Sequence, residues 1–287
     1  QEASVRRPVP LAFSHAYSLT PRELVEAPAA GEDLMLHALP PGAAAGTCVH
    51  TILENCDLAL PSTWRELIRA QLQQHYPDGA AHQASRERAI LQLLHGLQDP
   101  HMTAGIELAQ LSPKSCRREF SFYCALDSVD AERLHQVLSD WLQAQSLPTT
   151  PYLQAAHPTV RGFLTGSIDL LFEHAGQYFI LDWKTNRPLP HQAECCASYD
   201  TGGMQAQMLK GDYYLQALIY SAALDHYLRH SLGAEFNWER HIGGFIYCFV
   251  RGLSPSTGWL HQRFPETLVQ RAQQALGMQL GKGGDGF

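Results

Sequence analysis

Apolar positions in this chain change their spacing several times, and the changes divide it into segments. Residues 1 to about 46 show no period: they are rich in Pro, Ala and Gly, end in Leu-Pro-Pro-Gly-Ala-Ala-Ala-Gly, and read as a tether with little regular structure. From Thr47 the residues Val49, Ile52 and Leu53 fall at helical spacing, and further helices are predicted over 63–75, 82–98 and 102–110, a small helical layer. Period two takes over at 118–126, where Phe120, Phe122 and Cys124 alternate with Glu119, Ser121 and Tyr123 in a half-buried strand. A helix at about 130–145 and a Pro-containing loop at 147–158 come next. Two apolar runs, 162–172 and 178–186, then flank a short polar stretch containing Gly176, the pattern of a β-hairpin with a tight turn. Residues 187–203 are polar, are broken by Pro188, Pro190, Gly202 and Gly203, and read as a mobile loop. A long helix is expected over 204–230, a strand buried on both faces over Ile242 to Val250, and a disordered tail over 280–287. The expected organisation is a tether over 1–46 and one domain over 47–279, with a helical layer at 47–117 and an α/β core at 118–279.

The hairpin carries the chemistry. With its turn centred between Ala175 and Gly176, Asp169 lies opposite Asp182. Directly opposed side chains on one face are about 5 Å apart at Cβ, and like charges so close repel unless a cation lies between them. Strand alternation puts Lys184 on the face of Asp182 and Trp183 on the other. Two acids and an ammonium around one point suit Mg²⁺, which takes oxygen ligands and is held by one or two carboxylates plus substrate phosphate. Lys184 could then orient or deprotonate a water, or stabilise charge on phosphate oxygens. Alone, Asp-x-Lys reads first as a chance salt bridge on a solvated hairpin; the opposed Asp169 and the apolar strand turn the reading toward the metal site. Gln216 and Tyr220 are four apart, with Ala223 and Tyr227 continuing their helix face, and their amide and phenol could hold the lysine or a phosphate. His50 and Glu54 are spaced alike, and His50 by itself reads as a solvated helical histidine.

Composition narrows the class. With 287 residues, 45% hydrophobic and 17% charged, the chain is an ordinary globular protein of one large domain or two small ones. It has no apolar run of about 18 residues or more, so no membrane span is expected. A net charge of −7 is unexpected in a free-standing DNA binder and points to a local basic groove or to partners that hold the DNA. Seven cysteines without a Cys-x-x-Cys pair argue against structural zinc, an iron–sulfur cluster or a disulfide framework, and fit a reducing, cytoplasmic setting. The chain opens at Gln1 with no export signal and reads as a fragment of something longer.

Several motifs occur in order: Gly46-Thr47-x-x-His50-x-x-x-Glu54, a strand with Glu119, Gly166-x-x-Asp169-Leu170, Leu181-Asp182-Trp183-Lys184-Thr185-Asn186, Leu215-Gln216-x-x-x-Tyr220, and the run from Gly243 to Gly252. Each is weak alone, but over about residues 47–265 the set closely resembles the C-terminal nuclease domain of RecB subunits of bacterial RecBCD. The resemblance implies a PD-(D/E)xK, restriction-endonuclease-like α/β fold: a mixed sheet flanked by helices, with the acidic hairpin at its middle. On these positions it makes His50, Asp169 and Asp182 metal ligands, the Trp183 carbonyl a further ligand, Lys184 the catalytic ammonium, and Gln216 and Tyr220 the Gln-x-x-x-Tyr pair; Glu119 matches an acidic position nearby. The activity implied is Mg²⁺-dependent hydrolysis of single-stranded DNA fed by a helicase in the same polypeptide, with RecC-like and RecD-like partners, in double-strand break repair and degradation of foreign DNA in the bacterial cytoplasm. Mn²⁺ also suits the ligand set, whereas Ca²⁺ would bind with poorer geometry for reaction. The four-cysteine cluster of the related AddB has no counterpart. Cleavage is expected to ignore base sequence; Trp183, Tyr199 and Tyr220 are candidate stacking surfaces, with core packing the expected use of most of them. Two rival readings are a docking or regulatory module that kept the fold without catalysis, and a hydrolase of small phosphoesters.

Overall fold

A computed structural model describes residues 35–77, 80–149, 162–188 and 195–278. Five strands form one sheet in chain order: β1 (Cys116–Leu126), β2 (Gly162–His174), β3 (Gln177–Lys184), β4 (Ile242–Phe249) and β5 (Trp259–Gln262). The first three make an antiparallel meander, β4 runs parallel to β3, and β5 returns antiparallel, so the sheet is mixed. Ala175 and Gly176 both take positive φ, 53° and 79°, the requirement of a type I′ turn, whose twist matches that of the strands it joins. The β2–β3 pairs run from His174 with Gln177 to Leu170 with Leu181, in the register expected.

Helices cover both faces. On one side α1 (Ala43–Asn55), α2 (Trp64–His75) and α3 (Ala80–Gln98) bury Val49, Ile52, Leu93 and Leu94 with Leu181, Trp183, Ile246 and Cys248 of the sheet. On the other, α4 (Ala131–Ala144), α5 (Thr201–Lys210), α6 (Tyr213–Leu232), the short α7 (Trp238–His241) and α8 (Glu266–Ala275) bury Trp141, Leu218 and Val269 with Ile168, Ile180, Phe245 and Tyr247. All eight residues of β4 are buried, and alternate ones belong to opposite cores, as expected of a central strand with an uninterrupted apolar run.

Several elements differ from the sequence expectation. No helix forms over 102–110: Ala104 and Gly105 take left-handed φ, Thr103 Oγ1 donates to the Ile106 carbonyl at 2.6 Å, and only a 3₁₀ turn follows at Leu108–Gln110. A local side-chain bond there replaces the helical ladder. The long helix is two, α5 and α6, broken where Asp212 adopts φ 53°. α5 reaches back to Thr201 because Asp200 caps it, accepting from the Gly203 N–H at 2.7 Å. The stretch read as a mobile loop therefore ends in a capped helix, preceded by a 3₁₀ turn whose Tyr199 is fully buried; residues 189–194 lie outside the described residues. Packing also extends into the segment read as a tether. Leu36 and Leu39 are completely buried and α1 begins at Ala43. Most of the 147–158 loop and the 280–287 tail lie outside the described residues.

Candidate active site

The site forms where β2 parts from β3. Their pairing ends at Leu170 and Leu181, and β2 continues with β1 alone, so Asp169 and Asp182, next in register, stand at the fork. Asp169 Oδ2 accepts the Trp183 N–H at 2.8 Å. α1 crosses close to the end of β3, with Gly46 against Thr185 and, one turn later, His50 Nδ1 3.5 Å from Asp169 Oδ2. Lys184 Nζ lies 2.6 Å from Asp182 Oδ2, donates to Gln216 Oε1 at 3.1 Å, and sits 4.1 Å above the centre of the Tyr213 ring. The Gln216 amide is fixed at both ends: its Nε2 donates to the Tyr220 hydroxyl at 3.0 Å, and its Oε1 also accepts from the Tyr247 hydroxyl at 2.9 Å. Glu119, in a left-handed backbone conformation at φ 47°, accepts from Ser167 Oγ at 2.8 Å at the edge of the group. Glu54 stays exposed.

Asp182 is 3% exposed. Burial pushes its carboxyl upward, against the Lys184 and His50 charges that favour ionisation. Asp169 is pushed up to about 7, first by burial and then by the Asp182 charge, with the Trp183 N–H pulling the other way. Burial holds the His50 imidazole below its usual value, against Asp182, and so in the neutral, metal-binding form near pH 7.

These residues fit a divalent cation. Asp182 Oδ2 is buried, and the partner it has is the Lys184 ammonium at 2.6 Å, which does not use up the lone pairs of the carboxylate. An acid with a free lone pair, a second acid loath to ionise and a neutral imidazole form a donor set that a hard cation would relieve. Among the described residues, however, no three His, Cys, Asp or Glu side chains already converge as a metal-ligand group. The geometry instead joins His50 to Asp169, Asp182 to Lys184, and Lys184 to Gln216 and Tyr220.

Sequence reasoning missed the rings around the ammonium. Tyr247 is in register with Asp182 across the parallel β3–β4 pair, and its place in an apolar run gave no sign of this. Tyr213 also bonds Asn186, and the Tyr199 hydroxyl donates to the Asn186 carbonyl, so the chain just after Lys184 is held from two elements. Arg251, 1% exposed, donates to the carbonyls of Thr185, Leu36 and Leu39. Trp183 and Tyr199 are buried and serve packing rather than offering faces to bases, while Tyr220 is half-buried in a T-shaped contact with Phe122. All seven cysteines are free thiols, and among the described residues no helix is long and apolar enough to cross a membrane.

The acid hairpin inside a helix-covered mixed sheet has its counterpart in a known superfamily. The profile of the PD-(D/E)XK nuclease superfamily matches residues 10–276, and the chain belongs to it. Within it, this chain is similar to the RecBCD enzyme subunit RecB. It is 33% identical to that of Escherichia coli (strain K12) over 223 residues, which is 76% of this chain and 17% of the relative. To that of Mycobacterium tuberculosis (strain H37Rv) it is 33% identical over 254 residues, 80% of this chain and 22% of the relative. To that of Haemophilus influenzae it is 30% identical over 230 residues, 78% and 18%. The chain therefore spans only about a fifth of the length of these relatives.

Proposed function

We propose that this nuclease unit hydrolyses phosphodiester bonds of single-stranded DNA with a divalent cation, Mg²⁺ first and Mn²⁺ as a substitute, and works inside a RecBCD-type helicase–nuclease. The helicase would be in the same polypeptide and RecC-like and RecD-like subunits would be its partners, in double-strand break repair and degradation of foreign DNA in the bacterial cytoplasm. One observation carries the chemistry: a buried Asp182 beside a second acid, with an ammonium aimed at it by a fixed amide.

In this reading His50, Asp169, Asp182 and the Trp183 carbonyl hold the cation. A bound divalent cation polarises the scissile phosphate and lowers the pKa of the attacking water. As an ammonium, Lys184 adds positive charge where charge builds on the phosphate and orients the attacking water by donating to it; as the neutral amine it would instead accept that water's proton at Nζ. Gln216, Tyr220 and Tyr247 fix the direction of Nζ, so that little reorganisation is needed during reaction. Glu119 stands at the edge of the group and modulates its charge. With no base-reading motif, contacts to phosphate position the strand and cleavage is independent of sequence.

The test is incubation of the chain with end-labelled single-stranded DNA and Mg²⁺. Degradation that disappears in Asp182→Ala supports the enzyme. Intact DNA under Mg²⁺ and Mn²⁺ alike sinks it and favours a docking module, and turnover of a nucleotide monoester without preference for polymer would favour a small-phosphoester hydrolase.

A further inference from the structure

Beyond the fork, β1 and β2 form a two-stranded ribbon with two different faces. Phe122, Cys124, Leu126 and Ile168 turn inward and are buried. The residues between them turn outward in three cross-strand rows: Ser121 with Ser167, Tyr123 with Thr165, and Ala125 with Phe163. Tyr123 is 60% and Phe163 75% exposed, two of the three large hydrophobic side chains left in water among the described residues. The first row connects to the acid site, because Ser167 Oγ donates to Glu119 Oε2, and the Glu119 charge is felt by His50, Asp169 and Asp182.

We propose that this outward face is a track for single-stranded nucleic acid running to the acid site, with bases stacked on Tyr123 and Phe163 and the sugar–phosphate chain along the hydroxyls of Ser121, Thr165 and Ser167. The proposal rests on the nuclease reading. At about 3.3 Å per residue, the distance from Asp169 to Phe163 is about 20 Å, which six nucleotides cover at a rise of about 3.4 Å and fewer cover when stretched. The occupant follows from the chemistry of the face. It offers π-faces and hydroxyls rather than ammonium or guanidinium groups, so it suits unpaired bases, which stack irrespective of sequence. A paired duplex hides its bases from such a surface. Stacking also suits a chain of net charge −7, which has few cations for phosphates.

The test uses the 287-residue chain in chelator, so that binding is read without cleavage, and a fluorescein-labelled oligothymidylate about 12 nucleotides long. Anisotropy should show the double variant Tyr123→Ala, Phe163→Ala binding about 25-fold or more weakly, about five-fold per ring. The conservative pair Tyr123→Phe, Phe163→Tyr should bind within about two-fold of the parent, because it keeps both rings. With Mg²⁺ added, KM for the same oligonucleotide should rise in the alanine variant by more than kcat falls. Binding that depends on the rings in a parent that hydrolyses nothing supports the track and sinks the nuclease reading. Hydrolysis with equal KM and equal affinity in parent and alanine variant keeps the nuclease reading, leaves the face to another occupant such as a protein neighbour, and overturns the track. A parent that binds no oligothymidylate overturns it as well.

Discussion

Lys184 Nζ lies 4.1 Å from the centre of the Tyr213 ring and 5.2 Å from that of Tyr247, two rings that stack on each other, with Asp182 and Gln216 at its tip. Lys184→Gln should lower the rate of single-strand hydrolysis by about 10²–10⁴, measured at saturating substrate. Lys184→Arg should not restore it, because a planar guanidinium cannot take the place of a compact ammonium above a ring and cannot give up a proton. Asp169 predicts a trade of stability against activity. Its folded pKa of about 7 lies above the unfolded value of about 3.9, so its burial destabilises the cation-free protein fully above pH 7 and progressively less as the pH falls toward 4. Asp169→Asn should therefore stabilise the protein in chelator at about pH 8 by of order 1 kcal/mol, read as a higher Tm, with little change near pH 4 and with loss of hydrolysis. Mg²⁺ should raise the Tm of the parent at about pH 8 and leave that of the variant unchanged. The two acids, the lysine and the Gln-x-x-x-Tyr pair could be read from sequence because spacing of two or four places side chains on one face of a strand or helix. Tyr213, Tyr247 and Asn186 could not, since their roles depend on which helix packs over which strand.

At the scale of the element, the hairpin was the most legible part of the chain. A short polar break between two apolar runs admits few turns, and fixing the turn fixes the register. Ala175 bears a left-handed φ that a side chain with a β-carbon resists. Ala175→Asn, which makes the preferred Asn-Gly pair, should stabilise the protein by of order 1 kcal/mol in thermal melts and leave hydrolysis unchanged. Most helical patterns were legible as helices but not in their ends, and the one over 102–110 forms no α-helix. The break at Asp212 and the turn at Ala104 and Gly105 are backbone choices that tertiary packing sustains, and apolar spacing runs through both positions without a mark.

At the scale of the molecule, Arg251 ties the end of β3 to the segment before α1 through three carbonyls. Arg251→Leu would strip the donor from the Thr185 and Leu39 carbonyls and one of the two donors from that of Leu36, and should destabilise the protein by about 3 kcal/mol, read as a lower denaturant midpoint. Hydrolysis should fall with it even at temperatures where the variant is folded, because Thr185 adjoins Lys184. Taken alone, the order of residues determined the hairpin register and the face on which Asp182 and Lys184 lie, since both follow from short-range periodicity and turn chemistry, whereas the mixed sheet was implied by the family resemblance. Only the tertiary structure decided that His50 meets Asp169, that the ammonium lies against a stacked pair of phenol rings and that Tyr123 and Phe163 stay in water. Those outcomes depend on contacts between segments far apart in sequence, and local spacing carries no information about which distant side chain will fill a given space.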